Sequence, residues 1–263
     1  MPISISHFDG SPLFNDYEIV ILDEELLANY VAQVVLGFHL HIANILLSKA
    51  ANAPKAPNRA IGMAIQTLSS ADDEKRDGWI FQIISWTALN SQYAHAGIKA
   101  QQPQDAPAQH GIDGLAILMD ETGRITNIII TEDKCTKHPR QKIQSQVWPE
   151  FKQYEKGTYD NKIVGRVTAL LAGKLTPEGL DSIYNDIFKE ELRTYRVGVN
   201  RDKRYVDRRA RIKLFDDYDN CIPGDCSRRS SATLFKEDIR AWMKEFCAKV
   251  VSNLETMKGK SDV

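Results

Sequence analysis

The chain has 263 residues, 43% of them hydrophobic and 26% charged, an ordinary globular composition with room for one core and a helical appendage. Its formal net charge of -1 excludes a global basic field, so any attraction for nucleic acid must be local.

The first ten residues, MPISISHFDG, lack a charged stretch followed by an apolar core, so no secretory leader is expected. Residues 17–22 (YEIVIL) read as a short strand, and Asp23 as the cap of a long helix reaching to about 48. From Leu26 to Leu47 there is no Asp, Glu, Lys or Arg, a length sufficient to span a bilayer. Asn29, Gln33, Gly37, His41 and Asn44 nevertheless recur at steps of four and three, a polar or small stripe that argues for burial in protein rather than lipid. An Ala/Pro loop (50–59) and a helix over 60–68 follow. Trp79, Ile80, Ile83, Ile84, Thr87 and Ala88 lie at helical spacing and define a third helix, closed by a polar loop over 101–110.

The period then changes. GIDGLAILMD and RITNIIITEDKC alternate as strands around a turn at 121–124. PRQKIQSQVWPEFKQYEKG returns to helix, with Pro139 in its first turn and a kink expected at Pro149. A helix is expected over 176–193 and a strand over 194–200. Loops with short strands at ARIKLF and SATLF come next, then an amphipathic helix over 236–257. This order predicts an α/β chain with a mixed sheet flanked by helices. Cys135, Cys221, Cys226 and Cys247 form no CxxC pair, so free thiols in a cytoplasmic protein are expected rather than a zinc site.

The hairpin concentrates chemistry. If Glu121 pairs with Arg124, then Asp120 faces Ile125, and seven steps further out Asp113 faces Glu132. Directly opposed residues have Cβ atoms about 4.5–5.5 Å apart. Lys134, two residues beyond Glu132, shares its face. Opposed carboxylates destabilise a ladder unless something neutralises them. A hard cation such as Mg²⁺ does so through oxygen ligands, and the lysine can then hold a water or stabilise charge on a phosphate oxygen.

Asp113 followed by Glu132-Asp133-Lys134 at the end of an apolar strand resembles the PD-(D/E)xK phosphodiesterase superfamily, over residues 76–200. The resemblance implies a restriction-endonuclease-like α/β fold and a Mg²⁺-dependent nuclease, with Mn²⁺ as a substitute. It makes Asp113 and Glu132 metal ligands, has Asp133 contribute its backbone carbonyl, and gives Lys134 the attacking water. It divides the chain into an N-terminal helical region (1–75) and a nuclease domain (76–263). Two features depart from the pattern: Gly-Ile-Asp-Gly replaces Pro-Asp, and Gln82 stands where the leading helix often holds a Glu. More narrowly, His110-Gly111 and the helical N-terminal region resemble nuclease subunits of anti-phage systems such as Hachiman, which implies a defence role beside a helicase partner.

Two basic stretches are candidates for a phosphate backbone, with DNA expected and RNA left open. Lys137, His138, Arg140 and Lys142 follow the Glu-Asp-Lys strand. The second runs from Arg193 to Lys213 and includes Arg196, Arg201, Lys203, Arg204, Arg208, Arg209 and Arg211, with Tyr195 and Tyr205 interleaved. Tyr154, Gln144 and Gln146 are further candidates to face the site, and Arg228-Arg229 to meet a partner. The rival expectation is a nuclease-fold subunit with weak or no catalysis that binds nucleic acid or a helicase.

Overall fold

Alternation of side chains across a pleated backbone decides the centre of the molecule. In the computed structural model, which describes residues 1–8, 11–47, 55–107, 111–172 and 177–257, seven strands form a mixed sheet. In chain order they are β1 (Ile3–Phe8), β2 (Asn15–Ile21), β3 (Lys99–Ala100), β4 (Gly114–Met119), β5 (Ile125–Lys134), β6 (Arg193–Arg201) and β7 (Arg229–Phe235). Their spatial order is β1-β2-β7-β6-β5-β4-β3. The four central strands β2, β7, β6 and β5 run parallel, while β1 at one edge and β4 and β3 at the other are antiparallel to their neighbours. Central parallel strands need cover on both faces, and β6 is buried along its whole length.

Helices supply that cover. On one face lie α1 (Glu24–Val35), α2 (His39–Leu46), α3 (Asn58–Ser70) and α4 (Asp73–Gln92). On the other lie α5 (Pro139–Lys142), α6 (Trp148–Glu155), α7 (Asp160–Leu171), α8 (Pro177–Ile187), α9 (Arg208–Leu214) and α10 (Tyr218–Cys221). The last helix, α11 (Ile239–Met257), returns to the first face and packs on α1. Strand β5 divides its apolar residues between the layers. Ile128 and Ile130 pack with Phe151 and Val167 of α6 and α7, and Ile129 with Leu89 of α4.

Several sequence expectations change. The helix expected over 23–48 is two helices. Asp23 does cap α1, accepting from the Leu26 N–H at 2.9 Å, but Gly37 adopts φ +85° and turns the chain before α2. Only the α1 part of its polar stripe meets protein, where Asn29 donates to Asn253 of α11 and accepts from Gln33; Gly37 and Asn44 are exposed. No helix among the described residues is long and apolar enough to cross a membrane. Residues 1–75 contribute β1 and β2 to the common sheet besides their helices. ARIKLF, expected as a strand, is helical because Asp207 caps α9 by accepting from the Ala210 N–H. The helix expected over 176–193 ends at Ile187, and Arg193 already belongs to β6. Neither β1 nor α7 was expected. Residues 48–54, 108–110 and 176, which carry parts of four expected elements, lie outside the described residues. All four cysteines are free thiols.

The expected kink at Pro149 takes a definite form. Between α5 and α6 the helix widens into a π-helical turn over Ile143–Val147. Pro149 has no N–H to return to the carbonyl four residues back, and its ring crowds that carbonyl; a widened turn relieves both. This register points Tyr154 and Phe151 into the core and leaves Glu150 half-buried on the side of the Glu132 strand end.

Candidate active site

The β4–β5 hairpin keeps the expected register at its outer end by a route the sequence did not suggest. Gly114 pairs with Thr131, so the next step outward sets Asp113 opposite Glu132. The turn is one residue longer than expected: Asp120 donates its N–H to the Arg124 carbonyl, Gly123 takes φ +84°, and Met119 pairs with Ile125. A bulge between Leu118 and Met119 absorbs Thr126 and cancels the shift. The Asp120 carboxylate fastens this turn by accepting from the N–H groups of Thr122 and Arg124 and from the Thr122 hydroxyl.

At the open end Asp113, Glu132 and Lys134 meet. Lys134 Nζ lies 3.1 Å from Glu132 Oε2 and 3.4 Å from Asp113 Oδ2. Asp113 is oriented from two other elements as well. Gln82 of α4 donates Nε2–H to Oδ1 at 2.7 Å, and the Asp133 backbone N–H donates to Oδ2 at 2.9 Å. Gln82, the departure in the leading helix, therefore reaches the first carboxylate directly. The expected mutual repulsion of the two acids is partly relieved by the protein itself, since Lys134 bridges them.

One lysine is too little. Glu150 of α6 stands within electrostatic reach of Lys134, Asp113 and Glu132, so three carboxylates draw on Lys134, and Lys162 acts on Glu150 alone of the three. Glu132 is 1% exposed, and its Oε1 has no hydrogen-bond partner among the described residues. Burial, then the charge of Asp113, pushes the Glu132 carboxyl well above the usual range despite Lys134. Burial likewise raises Glu150. Burial opposes the charge on Lys134, but Glu132 and Asp113 hold its ammonium above the ordinary lysine value. Beneath them Tyr154 is fully buried, and its hydroxyl has no partner among the described residues; burial and the nearby Glu132 and Glu150 raise it.

Asp133 points to the opposite face. Its carboxylate accepts from Ser85 Oγ at 2.6 Å and lies 3.9 Å from Arg196, which also donates to Ser85. Gly198, its partner on β6, makes room, because a Cβ there would sit inside the Asp133 carboxylate. Burial pushes the Asp133 carboxyl up to about 7 even with Arg196 beside it. Its side chain thus fixes the peptide whose N–H holds Asp113.

The residues fit a hard cation in a limited sense. Two carboxylates, one with a buried oxygen that has no partner among the described residues, are oxygen donors of the kind Mg²⁺ takes while keeping several waters, and the Asp133 carbonyl is the further ligand that the resemblance implies. Among the described residues no three His, Cys, Asp or Glu side chains are grouped closely enough to hold a metal by themselves.

A cleft of about 700 Å³ opens beside Lys134, with Lys137, His138, Lys142 and Gln146 on one side and Asp72, Asp73 and Glu74 on the other. Lys137 is exposed, whereas Arg140 pairs with Asp216 and donates to the Lys213 carbonyl, tying α5 to the end of α9. Arg204 donates to the Lys137 carbonyl, so the two basic stretches adjoin. The second stretch is only partly a surface. Arg193, Arg196, Arg201 and Arg211 are buried and bound to protein acceptors, while Lys203, Arg204, Arg208, Arg209 and Lys213 are exposed. Arg193 and Arg196 face inward because β6 is covered on both sides, which a count of basic residues cannot reveal. Arg228 pairs with Glu155, and Arg229 donates to the carbonyls of Leu13, Ile222 and Gly224, so both anchor the fold rather than meet a partner. Gln144 is exposed and Gln146 lines the cleft. His110 lies outside the described residues. Glu150 was missed, although it stands one helical turn before Tyr154, a residue the sequence had singled out. No family model, curated protein or solved structure matches this chain.

Proposed function

We propose that the protein is a Mg²⁺-dependent nuclease of restriction-endonuclease-like type that hydrolyses phosphodiester bonds, with DNA its expected substrate. The observation that supports this best is the meeting of Asp113, Glu132 and Lys134 at one hairpin end, with a buried Glu132 oxygen that has no partner among the described residues. A divalent cation bound there would supply charge neutralisation and a more acidic water. Asp113 and Glu132 would hold it with the Asp133 carbonyl. Gln82 and the Asp133 N–H keep the Asp113 carboxylate in one orientation, which limits reorganisation when substrate arrives. Lys134, held charged by both acids, donates protons toward an attacking water or a phosphate oxygen as negative charge develops. The basic side of the adjoining cleft receives the backbone.

A second reading is a binding subunit with weak catalysis, partnered by nucleic acid or a helicase. Its support is the Lys134 bridge, which already satisfies one oxygen of each acid. Incubation of labelled DNA and RNA, single-stranded and duplex, with Mg²⁺, Mn²⁺ or EDTA separates the two. The nuclease reading predicts cation-dependent cleavage that Glu132→Gln removes; binding without cleavage under every condition establishes the second reading instead.

A further inference from the structure

The site has a second flank. A second groove, of about 560 Å³, is lined by Gly111 and Ile112, just before Asp113, and by Asn161, Lys162, Gly165 and Arg166 of α7. Lys134 lines the larger cleft and Ile112 this groove, and the acids stand between: Asp113 follows Ile112 in the chain and lies 3.4 Å from Lys134. Both cavities therefore border the proposed reaction centre.

The groove is built for an anion. Lys162 and Arg166, one helical turn apart, are both exposed on α7. The Lys162 ammonium lies 3.6 Å over the Tyr159 ring, which limits its wandering, and it acts electrostatically on Glu150. Arg166 approaches the backbone at Gly111, where a Cβ would stand 3.9 Å from its Nη2. Gly111 has φ +147°, a conformation that favours glycine. Asn161 and Gly165 add little side-chain bulk, so the floor between the cations stays open. A polyanion crossing an acid-rich centre needs cations on both sides of it. Lys137 and Lys142 line one of the two cavities that border it, and Lys162 and Arg166 the other.

We propose that this α7 groove binds the phosphate backbone of the nucleic acid on the far side of the scissile bond, so that one strand runs from the α5 cleft across Asp113, Glu132 and Lys134 to Lys162 and Arg166. The assignment rests on the nuclease reading and adds the path of the substrate to it.

The test is fluorescence anisotropy in EDTA with a labelled 12-nucleotide single strand and a 12-base-pair duplex over a salt series. Wild type is compared with Lys162→Glu/Arg166→Glu and with the milder Lys162→Gln/Arg166→Gln. Thermal melts confirm that each variant folds, and binding of the Gln pair decides the matter if the Glu pair does not fold. Loss of two phosphate contacts lowers the salt slope by about 1.4 for a single strand and about 1.8 for a duplex. Kd should rise at least about tenfold in either variant. A larger loss for the single strand identifies one strand as the ligand, and an equal loss identifies the duplex backbone. Wild-type binding with slopes unchanged in folded variants overturns the groove and leaves the nuclease reading standing. Polyglutamate of matched charge displacing the strand as well as unlabelled DNA does also overturns it, since the groove would then serve any acidic chain. If wild type neither binds nor cleaves nucleic acid, the nuclease reading fails first and the groove falls with it.

Discussion

Asp16 and Glu132 stand in one row across the sheet, linked by the pairs Asp16–Ser231, Ser231–Val197 and Val197–Glu132. Three strand spacings separate them, roughly 14 Å. Both are almost fully buried, at 2% and 1% exposure, and burial raises both carboxyls. Their surroundings differ. Asp16 accepts from Arg211 Nε at 2.5 Å and Nη2 at 3.1 Å and from Ser231 at 2.6 Å. Glu18, which pairs with Arg201 and Arg211, completes a cluster of two acids and two arginines. Around Glu132, Lys134 serves three acids, Lys162 reaches only Glu150, and a Glu132 oxygen is left without a partner among the described residues. Depth of burial does not distinguish the two carboxylates; charge balance and orphaned atoms do.

Exchanging the consequences of mutation at the two clusters is the strongest way to break this contrast. Lys134→Ala should lower cleavage on the order of 10³-fold while the protein still folds. Arg211→Ala should instead cost about 3–5 kcal/mol of stability, because it strands Asp16 uncompensated in the interior. Urea unfolding and a cleavage assay on both variants check the pair. Collapse of the Lys134 variant with an intact, inactive Arg211 variant would reverse the assignments.

A smaller effect tests the other face of β5. A carboxyl whose pKa rises from 3.8 to about 7 on folding binds its proton more tightly in the native state. Asp133 therefore favours folding at low pH, and stability should fall as pH climbs from about 4 to 7, by up to about 1.4 kcal/mol per unit. Glu132, raised in the same sense, adds to the slope. Asp133→Asn should flatten it in urea unfolding across that range; an unchanged slope would mean that Asp133 stays ionised beside Arg196.

The smallest effect concerns the outer basic surface. Arg209→Glu at the start of α9 should reduce the salt slope for duplex DNA by about 0.9 if Arg209 meets one phosphate. An unchanged slope would confine backbone contacts to the residues nearer the cleft.

The sequence exposed this site because a hairpin couples chain distance to spatial distance. Counting outward from the turn placed Asp113 against Glu132, and the longer turn and the bulge at Thr126 erred by equal and opposite steps. Strands β6 and β7 were visible as β-rich runs. Features that depend on long-range packing were not. The Arg193–Lys213 stretch looked uniformly basic, yet Arg196 and Arg211 point at carboxylates 63 and 195 residues away, at Asp133 and Asp16. The alternation in ISISHF marks β1, but its partner strand lies across a loop that obscured the pairing. ARIKLF carries strand-compatible residues, and only the Asp207 cap tips it to helix. Glu150 reaches the site through the π-helical turn before it, a local change of period that composition does not announce.

The most direct measurement is a thermal melt of wild type and Glu132→Gln at neutral pH, in EDTA and in millimolar Mg²⁺, Mn²⁺ or Ca²⁺. A cation that fills the unbalanced acid cluster binds only the folded state and contributes about 2.7 kcal/mol at a hundredfold excess over Kd. At about 2–4 °C per kcal/mol for a chain of this size, wild type should gain at least about 5 °C at saturation. Glu132→Gln should gain almost nothing, and in EDTA it should melt no lower than wild type, since it removes a buried charge that Lys134 only half satisfies. Equal gains in both proteins, or no gain in wild type with any of the three cations, would contradict the reading of Asp113, Glu132 and Lys134 as a cation-dependent site.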